Sequence, residues 1–102
     1  MLKQRVITAL VLLAAGQSRD AVEELRRVVA DSPSGINYFH LALACVSAND
    51  LAAAQNAMRL ASKDHQLKPE QIPAIERQKY QELLAKLGRT SITLAYVLRG
   101  EA

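Results

Sequence analysis

Between Tyr38 and Ala61 the apolar residues recur at spacings of three and four in two runs that break at Asn49-Asp50. This is the pattern of two short amphipathic helices joined by a tight turn. The first run, from about Asn37 to Ala48, gathers Tyr38, Leu41, Ala42 and Cys45 on one face of a helical wheel and Phe39, Leu43 and Val46 on a second. Asn37, His40 and Ser47 are left for the polar side. The second run opens after Asp50, a residue type that caps helix N-termini, and carries Leu51, Ala54, Met58 and Ala61. Because Ala54 and Ala61 are small, the two backbones can approach closely where they cross. One apolar face of the first helix is thereby used, and the other needs a second partner.

The same arrangement occurs once upstream. Subtracting 33 turns Tyr38, Leu41, Ala42 and Cys45 into Arg5, Thr8, Ala9 and Leu12, and turns Phe39, Leu43 and Val46 into Val6, Leu10 and Leu13. Leu51, Ala54, Met58 and Ala61 become Ser18, Ala21, Leu25 and Val28, and the turn residue Asn49 becomes Gly16. A constant offset through two hairpins predicts an internal repeat. The second helix of the first copy, Arg19 to about Ala30, puts Asp20, Glu23, Glu24, Arg26 and Arg27 on its outer side, a solvated face of mixed charge. Ser32-Pro33-Ser34-Gly35 then stops that helix and turns the chain into the second copy.

These residues resemble the tetratricopeptide repeat family. Its pattern asks for an aromatic, then Leu and a small residue, a Gly turn, an Ala, a large apolar residue, another Ala and a closing Pro. Tyr38, Leu41, Ala42, Asn49, Ala54, Met58 and Ala61 fill most of those places in the second copy; Ala9, Gly16, Ala21, Leu25 and Pro33 do so in the first. Arg5, Thr8, Asn49 and Gln66 depart from it, and the period is one short of the family's usual length of about 34 residues, as a clipped loop at Ser34-Gly35 would make it. The resemblance covers about two thirds of the chain. It implies a right-handed α-solenoid in which the first helix of each hairpin lines a concave groove that binds peptide. Carried over residue by residue, the groove would be lined by Val6, Leu10 and Leu13 and by Phe39, Leu43 and Val46, with His40 and Asn37 at its margin. Family members that clamp a C-terminal carboxylate need Lys and Asn where this chain has Val6 and Leu10, so the implied ligand is an apolar or amphipathic segment.

Beyond Asp64 the pattern changes. His65 to Pro73 reads as a connector with at most one short turn between Pro69 and Pro73, since neither proline can donate a backbone hydrogen bond. Pro73 can open a helix that runs to Leu87, with Ile75, Tyr80, Leu83, Leu84 and Leu87 on one side, Glu76, Arg77, Lys79, Gln81, Glu82 and Lys86 elsewhere, and Gly88 as its stop. In the resembled family such a helix caps the last hairpin. The tail from Arg89 alternates at Ile92, Leu94, Tyr96 and Leu98 as a strand does, yet Ser91 can cap a helix. With no second strand to pair with, a short terminal helix is the expectation.

The segment MLKQR-VITALVLLAAG has the basic start and short apolar run of a secretory signal, which would export the protein if residues 1–15 were cleaved. The run is too short to span a bilayer, and its register matches the second copy, so it is read as the first helix. Ile7, Val11 and Ala14 make that helix apolar nearly all round, as a covered helix is. Either another repeat precedes it or another chain packs there.

Composition narrows the function. At 102 residues, half of them hydrophobic, the chain has the size of a single domain, expected to comprise repeat one over about 2–34, repeat two over about 35–68, the capping helix over about 73–87 and the tail over 89–102. The net charge of +3 is mild and its signs are interleaved; Lys3, Arg5, Arg26, Arg27, Arg59 and Lys63 do not form a block that predicts nucleic acid. The lone Cys45 forms no internal disulfide and suits a reducing, cytoplasmic compartment. His40 and His65 have no nucleophile or ligand cluster at catalytic or metal spacing, and the glycines form no phosphate loop. No enzymatic activity, metal, cofactor, small-molecule substrate or membrane partner is expected. The expected class is an all-α, tetratricopeptide-like adaptor that holds a partner protein's apolar segment at Val6, Leu10, Leu13, Phe39, His40, Leu43 and Val46. The alternative is a structural module that self-associates through Ile7, Val11, Ile92 and Tyr96, its groove filled by its own or a neighbour's helix.

Overall fold

Two turns organise the backbone. In a computed structural model that describes the backbone of residues 2–99 and the side chains of residues 4–88, Gly16 and Asn49 both adopt left-handed conformations, at φ 82° and 62°. Each ends a helix in the same way. The Gly16 N–H donates to the Leu13 carbonyl and that of Gln17 to Leu12; the Asn49 N–H donates to Val46 and that of Asp50 to Cys45. Every one of these atoms has its counterpart 33 residues on, down to the bonds from Ala15 to Val11 and from Ala48 to Ala44. Such paired bonds satisfy the last carbonyls of a helix and reverse the chain. The helices before and after the first turn are α1 (Leu2–Ala14) and α2 (Ser18–Asp31); those around the second are α3 (Gly35–Ser47) and α4 (Leu51–Arg59).

Caps fix the starts. Ser34 accepts from the Asn37 N–H at 3.2 Å and Asp50 from the Ala53 N–H at 3.1 Å, each oxygen relieving an amide that has no partner within its helix. Asn37, expected at a groove margin, turns its side chain back to the Ser32 carbonyl instead.

The helices pack α1 on α2, α2 on α3 and α3 on α4, and small residues lie where they meet. Ala9 and Ala42, Ala21 and Ala54, and Val28 and Ala61 are all fully buried at the same offset. Leu25 and Met58, another such pair, fill the core beside them. Where the copies differ, the contact survives in other chemistry. Arg5 of α1 reaches Asp31 at the end of α2 at 3.1 Å, whereas Tyr38 stacks on His65 with centroids 5.2 Å apart.

The connector follows the expectation of a single short turn between its prolines. α4 widens into a π-turn over Leu60–Asp64, Gln66 takes a left-handed conformation, and a 3-10 turn forms at Pro69–Gln71. Leu67 and Ile72 are buried, and Leu67 lies so close to α3 that a Cβ on Gly35 would meet its Cβ at 2.9 Å.

The last helix departs from the sequence reading in three ways. Regular α5 begins at Arg77, after a 3-10 turn at Ala74–Glu76 capped by Pro73. Ile75 therefore leaves the wheel that would have buried it and is 88% exposed, while Leu84 stays partly exposed; Leu83, Leu87 and half-buried Tyr80 carry the contact. Gly88 does not stop the helix, which runs on through Arg99 in place of a separate terminal helix. A helix stop of this kind needs a left-handed residue, and Gly88 is not one; a glycine that keeps helical angles costs only about 1 kcal/mol. α5 lies against α3 and α4. No strand occurs among the described residues.

Candidate functional site

The second apolar faces of α1 and α3 do not end up alike. On α1, Val6, Leu10 and Leu13 are half-buried. On α3, Leu43 and Val46 are half-buried too and border a cleft of about 220 Å³. Its far wall is α5, which contributes Lys79, Glu82, Leu83 and Lys86. An apolar floor with ionic groups along one wall is a surface on which an amphipathic segment can lie.

Two residues expected in that lining are not open to it. Phe39 is fully buried, its ring meeting the edge of Tyr80 at a centroid distance of 5.6 Å and 72°. The sequence pattern leaves its second face in want of a partner, and α5 is that partner. His40, assigned to the polar side, is 6% exposed. Because a carboxylate can only accept, its Nε2–H donates to Glu76, at 3.0 Å to Oε1 and 3.2 Å to Oε2. The Glu76 side chain is itself only 15% exposed, although the helical wheel placed it outside. The 3-10 turn before α5 rotates Glu76 inward as it rotates Ile75 outward. The other imidazole nitrogen, Nδ1, is buried and meets no hydrogen-bond partner among the described residues. This pair spans 36 residues, and no local spacing signals it. The sole available sign was a histidine among apolar residues, a composition that suits a buried polar pair as well as a surface.

A second surface lies on the outer side of α1. Ile7 and Val11, four residues apart, are 58% and 62% exposed, while their counterparts 33 residues on, His40 and Ala44, are buried. The same helical position is thus covered in the second hairpin and bare in the first. Ile92 and Tyr96, expected to join it, lie outside the residues whose side chains are described.

Among the described residues no group of three His, Cys, Asp or Glu side chains could hold a metal ion. Cys45 is buried, and burial pushes its thiol pKa up; Asp50 adds to the rise and Arg26 opposes it. A thiol held in its neutral form is a poor nucleophile. Above it, a cleft of about 310 Å³ is lined by Arg19, Glu23, Arg26 and Asp50, whose charges balance. No described helix is long and apolar enough to cross a membrane. No family model matches the chain, and neither the curated proteins nor the solved structures compared with it contain a match.

Proposed function

We propose that this protein is a tetratricopeptide-like interaction module, a right-handed pair of helical hairpins whose concave side takes an apolar or amphipathic segment of another protein. The observation that carries this reading is the half-exposed apolar row of Val6, Leu10, Leu13, Leu43 and Val46, in which Leu10 and Leu13 of the first hairpin match Leu43 and Val46 of the second. The binding face therefore comprises these five residues and the α5 wall, without Phe39, which Tyr80 of α5 covers, and His40, which is buried against Glu76. Substituting Leu10→Asp or Leu43→Asp places a charge in that row without emptying the core. Capture of a partner from an extract of the source organism is expected to be lost in both variants while helical circular dichroism is kept. Retained capture, or unfolding by either change, overturns the reading.

The exposed pair Ile7 and Val11 favours a second reading, self-association through the outer side of α1. Two exposed β-branched residues one helical turn apart lose free energy when a second apolar surface covers them. Light scattering at two concentrations decides it. A mass that rises with concentration supports a dimer; a strictly monomeric particle removes this reading and leaves the first intact.

A further inference from the structure

The chain between the second hairpin and α5 is firmly held at one place, bare at the next and held again at a third. Ile72 is 1% exposed and seats the connector in the core beside Leu67. Pro73, Ala74 and Ile75 are then all exposed, and the backbone bonds across them are local, from the Glu76 N–H to the Pro73 carbonyl and from the Arg77 N–H to the Ala74 carbonyl. Glu76 re-enters the protein and accepts from His40 with both oxygens. From this pattern we infer that α5 is a strap, hinged at Pro73–Ile75 and latched by His40–Glu76, whose release uncovers the apolar side of α3 and α4.

What lies beneath the strap is mostly apolar, with His40 and Gln55 as polar points within it. Phe39 is sealed by Tyr80, and Leu43 and Val46 meet Leu83 across the cleft. On α4, Met58 and Gln55 border a second cleft with Leu84 and Leu87 of α5, and the Gln55 side-chain N–H donates to the Leu87 carbonyl at 3.4 Å. Leu43 and Val46 repeat, 33 residues on, the Leu10 and Leu13 of the row left open on α1. The closed strap therefore shortens the surface offered to a partner, and the open strap restores it.

The latch is built for register more than for tightness. A buried polar pair fixes where two elements meet, because any slip leaves a charged or polar group without its partner. Closing also carries a cost, since it buries His40 Nδ1 where no described protein group bonds it. When α5 lifts, both imidazole nitrogens and the carboxylate are hydrated. The apolar gain from Tyr80, Leu83 and Leu87 on closing is thus set against a polar penalty on the same face, and the element with such a balance opens before the rest.

The use made of this movement rests on the groove reading above; the movement itself does not. Hydrogen exchange followed by mass spectrometry on the full chain tests it. Amides from Arg77 to Leu87 are expected to exchange through an opening that leaves α2 and α3 protected. Glu76→Ala is expected to speed that exchange by about tenfold without changing α2, and Glu76→Gln, which keeps an oxygen to accept from Nε2–H, to restore most of the protection. Exchange of α5 at the same rate as α2 and α3, or acceleration of all helices alike by Glu76→Ala, overturns the strap. Those results do not touch capture by the groove, which the Leu10 and Leu43 variants judge separately.

Discussion

At the scale of single residues, the conformations that repeat say more than the identities that do. Gly16 and Asn49 are different amino acids in one backbone state, each closing a helix with the same pair of bonds. Glycine has no steric penalty there and asparagine a small one. Gly16→Ala is therefore expected to destabilise by about 1 kcal/mol, and Asn49→Gly to change stability by less than about half that. Denaturant melts of the two variants check both, and an Ala at 16 without cost contradicts the turn. Cys45 adds a dependence on pH. Its folded thiol pKa lies above the ordinary value because burial disfavours the thiolate. The folded state thus keeps a proton that the unfolded state releases. The stability due to the neutral thiol is complete below the unfolded pKa and is lost as pH rises from there toward the folded one. A Cys45→Ser variant, compared with the parent across that alkaline range, is expected to lack this part of the decline.

Elements show where sequence reasoning holds and where it stops. The hairpins were legible because their apolar spacing, the Asp50 cap and the Ser32–Gly35 break all point the same way, and consistent local signals are what a single fold requires. The entry to α5 was not. A helical wheel assumes helical angles, and between Pro73 and Glu76 the chain is a 3-10 turn, so Ile75 and Glu76 exchange the inside and outside that the wheel assigned. Gly88 misled for a related reason: glycine permits a left-handed stop but does not impose one. It lies within α5, and a Cβ added there would meet nothing within 4 Å. Gly88→Ala is accordingly expected to stabilise the protein by about 0.5–1 kcal/mol, through less entropy lost on folding. Differential scanning calorimetry reads this as a raised midpoint, and a lowered one would mean that α5 bends at Gly88.

For the whole molecule, the question is which apolar surface is spare. The sequence pattern already set aside the face of Val6, Leu10 and Leu13 and of Phe39, Leu43 and Val46 as unassigned. It could not show how much of that face α5 would take. The structure divides the face at Phe39, which is sealed, from Leu43 and Val46, which border a cleft. Which neighbour takes an apolar row is decided by contacts between segments far apart in sequence, and periodicity within one segment does not hold that information. The outer side of α1 remains the competing surface, with Ile7 and Val11 bare.

Leu10 and Val11 are sequence neighbours on different sides of α1, about 100° apart around its axis, so they separate the two surfaces in one experiment. Each is replaced by Asp, helicity is checked, and partner capture from extract is compared side by side. The groove account requires that Leu10→Asp lose the partner and Val11→Asp keep it. The reverse result, capture lost only in Val11→Asp, would contradict it.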